Sequence, residues 1–288
     1  MRFVSLPSST LISAEELAVR LNDDRWVVID CRYDLGDSKR GSVAYLEGHI
    51  PSARYADLGR DLAAPPKDHE GRHPLPEPHL FAAKLGKWGI SNHTSVVVYD
   101  DQDGIFAARL WWMLRWIGHD AVWVLDGGLG AWKASGGSLE KGLPDWVPTS
   151  FSFHQVRHEW VVTAQKIPVL LEEGSILLDA RLEDRYCGAS EPIDHVAGHV
   201  PRAINHPFIL NLKSNGQFHE PSVLKEKFAR GFDGKDRDLI VMCGSGVTAC
   251  HLLLALKIGG FPDGQLFVGS WSEWIQDPHR PIRVGSDP

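Results

Sequence analysis

The sequence predicts an α/β protein made of two similar domains, each with a mainly parallel central sheet flanked by helices. Short apolar, β-branched runs alternate with helical segments along the whole chain. The same motifs recur in the same order in both halves, and a length of 288 residues suits two domains of ordinary size.

In chain order, Ser13 and Glu16 form a capping box ahead of Leu17, Val19 and Leu21, which predicts the first helix. Strand-like runs follow at Trp26–Ile29, Ser95–Tyr99 and Ala121–Leu125 in the first half. The second half has them at Ile176–Leu178, Leu239–Met242 and Gln265–Val268. Such runs suit strands buried on both faces of a parallel sheet. Gly, Pro and Ser concentrate between Ala134 and Glu159 without a sustained period. This predicts a first domain over 1–140, a linker over 141–159 and a second domain over 160–288.

The halves match segment by segment. Ile12-Ser13-Ala14 leads to Val28-Ile29-Asp30-Cys31-Arg32, as Val162-Thr163-Ala164 leads to Leu177-Leu178-Asp179-Ala180-Arg181. Gly48-His49-Ile50-Pro51 recurs as Gly198-His199-Val200-Pro201. Gly104-Ile105-Phe106-Ala107 recurs as Gly246-Val247-Thr248-Ala249, and the Gly127–Trp132 segment as Gly269–Trp274, both at an offset of 142. Arg32 and Arg181, repeated in this way, read as fold residues paired with nearby carboxylates.

Composition narrows the function. With 43% hydrophobic and 23% charged residues the chain reads as a soluble globular protein, and a net charge of −7 disfavours nucleic acid and anionic membranes as partners. No apolar run is long enough to span a bilayer. Met1–Thr10 has neither the basic start nor the apolar core of a secretory signal. Four cysteines make no disulfide framework, and neither a Cys-x-x-Cys pair nor the scattered histidines show metal-ligand spacing. A reducing cytoplasm, no metal and no organic cofactor are the expectations.

The chemistry concentrates in Val241-Met242-Cys243-Gly244-Ser245-Gly246-Val247-Thr248-Ala249. An apolar strand delivers Cys243 to a glycine-broken loop, and an apolar helix follows from Val247 to Ile258. A strand, tight loop and helix start converge backbone N–H groups and a helix dipole on the loop centre. A cysteine held there is expected to have a lowered pKa and to act as a nucleophile. Opposite Cys243 the first half carries Asp100, in Tyr99-Asp100-Asp101-Gln102-Asp103-Gly104, which cannot be a nucleophile. Cys250, two helical turns beyond Cys243, and Cys31 read as core residues, Cys187 as inert, and Trp111, Trp112, Trp116 and Trp132 as core or interface anchors.

The repeat, the Cys243 loop and Leu125-Asp126-Gly127-Gly128 together resemble the tandem-domain rhodanese superfamily over nearly the whole chain. The resemblance implies two rhodanese-like domains, the first inactive and the second catalytic. Cys-Gly-Ser-Gly-Val-Thr-Ala is similar to the loop of 3-mercaptopyruvate sulfurtransferases, whereas thiosulfate-preferring relatives carry Arg and Lys where Gly244 and Ser245 stand. It implies a Cys243 persulfide, with Ser245 relaying a proton together with a histidine of the N-terminal domain, for which His49 is the matching position. Gly244, Gly246, Val247 and Thr248 would line the donor and Arg185 would hold its carboxylate. Arg109 or His73 is expected at the rim. The family's second arginine, after a Glu-Pro, is missing, because Glu191-Pro192 is followed by Ile193-Asp194. Thiosulfate therefore stays an alternative donor.

The implied partners are a small anionic sulfur donor and a thiol or cyanide acceptor, thioredoxin among the candidates, acting on a monomer. Two rivals fare worse. A cysteine phosphatase needs Cys-x5-Arg, but Ala249 stands at the arginine position. A non-catalytic rhodanese-type binding module usually lacks the cysteine that is present here.

Overall fold

The computed structural model describes residues 9–153, 155–231 and 237–288, so the expectation for Met1–Thr10 lies mostly outside the described residues. The first domain runs β1 (Leu11–Ile12), α1 (Ala14–Ala18), β2 (Trp26–Asp30), α2 (Arg40–Glu47), β3 (Arg54–Tyr55), α3 (Leu58–Asp61), α4 (Pro78–Lys87), β4 (Ser95–Tyr99), α5 (Ile105–Trp116), β5 (Val122–Leu125) and α6 (Gly128–Ala134). The second runs β6 (Val161–Val162), α7 (Ile167–Glu172), β7 (Ile176–Asp179), α8 (Glu183–Cys187), β8 (Ala203–Asn205), α9 (Pro221–Gly231), β9 (Leu239–Met242), α10 (Thr248–Ile258), β10 (Gln265–Phe267) and α11 (Ser270–Trp274).

Each domain holds one five-stranded parallel sheet, ordered β1-β5-β4-β2-β3 and β6-β10-β9-β7-β8. The two orders are the same once the halves are superposed in sequence. The central strands β4 and β9 are buried along their whole length, which explains their unbroken apolar runs. Val97 is registered opposite Val28, and Val241 opposite Leu178. The Ser13–Glu16 capping box forms at α1. The edge strands β1, β3, β6 and β8 are two or three residues long, too short to leave a periodic signal in sequence.

One apolar core runs through both domains. Phe106, Trp111 and Trp112 of α5 belong to the same buried cluster as Leu252, Leu253 and Leu256 of α10. Burial of each such side chain contributes about 1.5–3 kcal/mol. Smaller clusters lie under the outer face of each sheet. The connecting segment is tied to the first domain: Trp146 Nε1 donates to the Lys87 carbonyl at 2.8 Å, the Thr149 amide to Gly86 at 2.8 Å, and Arg157 pairs with Asp120 at 2.6 Å. No described helix is long and apolar enough to cross a membrane.

Candidate active site

Cys243 is the first residue after β9, at the carboxyl end of the sheet where open α/β folds place their sites. Its side chain is 1% exposed. Gly246 turns the loop at φ +76°, and a β-carbon there would collide with the Val268 carbonyl, so only glycine fits. Gly104 sits at φ +83° at the equivalent place in the first domain. Val247 caps α10 and Thr248 opens it. The amides of residues 244–249 find no acceptor among the described residues.

The first domain shows what such a loop holds. The Asp100 carboxylate accepts from the amides of Gln102 (2.8 Å), Gly104 (2.9 Å), Phe106 (2.8 Å) and Ala107 (2.9 Å). Burial pushes its pKa up, and those four amides pull it back. By the repeat, the last three correspond to Gly246, Thr248 and Ala249 around Cys243. The second cradle thus offers the same converging amides to an anion at the Cys243 position.

Four hydrogen bonds fix the loop from outside. The Cys243 amide donates to Ser270 Oγ at 3.0 Å, and that hydroxyl donates onward to the Phe267 carbonyl at 2.8 Å. Ser270 takes φ +53°, a left-handed conformation that its first-domain counterpart Gly128 takes without strain. The amides of Trp271 and Ser272 donate to the carbonyls of Cys243 and Gly244. Arg109, fully buried on α5, donates to the carbonyls of Gly246 (3.2 Å), Leu62 (3.3 Å) and His73 (3.0 Å), so one cation binds the loop to the other domain. Arg109 and Arg181 both interact electrostatically with Cys243. Arg181 is itself paired with Asp179 at 2.7 Å, as Arg32 is with Asp30.

The segment Gly71-Arg72-His73 reaches over from the first domain. Gly71 packs against the Gly269 backbone so tightly that a side chain would collide, and the Arg72 amide donates to Ser272 Oγ at 3.1 Å. This brings His73 Nδ1 to 2.8 Å from Ser245 Oγ. Burial, together with the cations Arg109 and Arg72, pushes the His73 pKa down to about 4. The ring is therefore neutral near neutral pH and able to accept the serine proton. Arg72 also pairs with Asp194, which in turn accepts from Arg185 at 3.0 Å. A cleft of about 590 Å³ opens beside this bridge, between residues 66–72 and Ile193–His195.

The structure corrects two expectations. His49 is not brought to Ser245. It is fully buried in the first domain, with Nδ1 2.8 Å from the Tyr45 carbonyl and its ring stacked on Tyr45 at 4.1 Å. His199 repeats this on Tyr186, at 2.9 Å and 3.8 Å. The shared Gly-His-[Ile/Val]-Pro segment is a fold element, and the histidine facing Ser245 is His73. Arg109 is likewise no rim residue but the buried tie between domains. Cys243, Gly244, Ser245, Gly246, Val247 and Thr248 share the one loop, and Arg185 reaches it at Gly244. Sequence reasoning gave His73 too little weight.

Known proteins share this architecture. The family model described as Rhodanese-like domain matches residues 13–135 and 163–277. A Pseudomonas aeruginosa protein named "Probable 3-mercaptopyruvate sulfurtransferase" is 47% identical over 283 residues, covering 97% of this chain and 100% of its own. The thiosulfate sulfurtransferase of Bos taurus is 35% identical, covering 86% of this chain and 84% of its own. The solved 3-mercaptopyruvate sulfurtransferase of Escherichia coli superposes with a TM-score of 0.79 at 30% identity, over 92% of this chain and 100% of that one. With two matched domains and a cysteine cradle in the second, this chain belongs to the rhodanese family.

Proposed function

We propose that this protein is a sulfurtransferase that takes sulfur from 3-mercaptopyruvate and passes it, through a persulfide on Cys243, to a thiol or to cyanide. The observation that carries the reading is the neutral His73 at 2.8 Å from the Ser245 hydroxyl, two residues from Cys243. The Cys243 thiolate attacks the donor's thiol sulfur. The carbon–sulfur bond breaks and its electron pair leaves on carbon as the pyruvate enolate. The thiol proton, relayed by Ser245 and His73, ends on that carbon, giving pyruvate and a Cys243 persulfide. The loop amides and the nearby guanidiniums offset its negative charge. An acceptor thiolate or cyanide then attacks the outer sulfur and expels the Cys243 thiolate, completing a ping-pong cycle.

The names of the Pseudomonas aeruginosa and Escherichia coli relatives support 3-mercaptopyruvate as the donor. Thiosulfate is the second reading, favoured by Ile193-Asp194 where the family pattern has an arginine and by the likeness to the bovine enzyme. The four cysteines are all unpaired, which suits a reducing compartment such as the cytoplasm. Thioredoxin is a fitting thiol acceptor, and a monomer suffices because the site is assembled from the two domains of one chain.

The test is steady-state kinetics with each donor and cyanide on the wild type and Cys243→Ser. The reading requires 3-mercaptopyruvate to be the better substrate by kcat/KM and the variant to be inactive. Turnover of the variant at the wild-type rate removes the covalent mechanism.

A further inference from the structure

Two guanidinium groups from different domains converge on Gly244. Arg72 Nη2 and Arg185 Nη1 lie 3.1 Å and 3.3 Å from the point where a Gly244 β-carbon would stand. Arg185 uses Nε and Nη2 on Glu191 and Asp194, and Arg72 uses Nη1 on Asp194. The two nitrogens nearest Gly244 find no acceptor among the described residues. Asp194 therefore aligns both forks while leaving one N–H edge of each turned toward the residue that follows Cys243.

We propose that Arg72, supplied by the first domain, is the second guanidinium of the donor's carboxylate seat beside Arg185, and that it selects a short 2-oxo acid over a sulfur donor without a carboxylate. This rests on the sulfurtransferase reading above. A carboxylate bridging the two free edges leaves a three-carbon chain reaching toward Cys243, a geometry suited to paired guanidiniums rather than to ammonium groups. The place of the arginine missing after Glu191-Pro192 is taken across the domain interface, and Asp194 acts as the aligning counter-ion. Gly244 is part of the same device. A side chain there would push both guanidiniums aside by a few tenths of an ångström, so glycine leaves them free to hold their places.

The experiment measures pyruvate binding by calorimetry, 3-mercaptopyruvate KM and kcat, and Cys243 persulfide by mass spectrometry, on the wild type, Arg72→Ala and Arg72→Lys, each checked by thermal melting. Loss of one charged carboxylate contact should raise the pyruvate Kd and the KM by roughly 10- to 100-fold in Arg72→Ala, with kcat within a few-fold of wild type. Lysine retains the ion pair with Asp194 but not the fork, so it should restore stability while recovering only part of the affinity. Unchanged Kd and KM in a folded Arg72→Ala protein overturn the seat. Full recovery of affinity by lysine overturns it too, leaving Arg72 a domain tie. A wild type that forms no persulfide from 3-mercaptopyruvate, yet loses pyruvate binding on Arg72→Ala, sinks the functional reading and supports the carboxylate seat.

Discussion

Asp100 and Cys243 stand at the same place in their two domains, each the first residue after a fully buried central strand, β4 or β9. Four backbone amides close on the Asp100 carboxylate, and the cradle around Cys243 is its counterpart. The first domain fills its cradle with a side-chain carboxylate; in the proposed reaction the second fills its own with the Cys243 sulfur. The following variants test how far that equivalence, and the site built on it, extends.

Asp100→Ala should strand four amides, three of them buried, and destabilise the protein by about 3 kcal/mol. Asp100→Asn, which keeps an acceptor oxygen, should cost less. Urea unfolding monitored by circular dichroism checks both. Equal midpoints for Asp100→Ala and wild type would mean that the carboxylate does not hold the first cradle together.

Ser245→Ala and His73→Asn should act on one step. Each should lower kcat with 3-mercaptopyruvate by about 100-fold, the lower range for a lost proton-transfer partner. Because both variants break the same relay, the double variant should be little worse than either single one. Multiplicative losses would place the two residues in separate roles.

Ser270 is a positioning residue, since its strained hydroxyl accepts from the Cys243 amide. Ser270→Gly relieves the strain but removes the bond, so stability should change by less than about 1 kcal/mol. The rate of persulfide formation should nevertheless fall severalfold, and stopped-flow measurement with 3-mercaptopyruvate reads it. A wild-type rate in Ser270→Gly would remove the positioning role.

Acid should destabilise the fold through buried histidines. Burial, aided by Arg109 and Arg72, pushes His73 down to about 4, and burial pushes His251 down to about 3. Burial also lowers His119 and His206. In the unfolded chain these groups take up protons near the ordinary histidine value of about 6.5. Between about pH 6.5 and 4 the unfolded state therefore binds more protons, and stability falls as pH drops through that window. Each unit of depression corresponds to about 1.4 kcal/mol. Melting temperatures across this range should decline, and the decline should be shallower for His73→Asn. Parallel curves for the two proteins would show that His73 is not held neutral.

The sequence by itself determined the two α/β domains, pointed to Cys243 as the nucleophile and set Asp100 at the matching place in the first half. These were legible because they rest on local patterns: β-branched runs, a glycine needed at positive φ, and motifs repeated in order. Repetition also separated residues serving the fold, such as Arg32 and Arg181, from candidates for the site. Applied to His49 and His199, the same reasoning outweighs the positional match, for both rings stack on a tyrosine in their own domain. What only the tertiary structure decided is everything that crosses between domains. His73 meets Ser245 across 172 positions of sequence and Arg72 meets Asp194 across 122, distances at which no periodicity or spacing carries information. Those pairs form because α5 and α10 bury one continuous core between the domains, which fixes the first-domain segment Gly71–His73 over the cysteine loop.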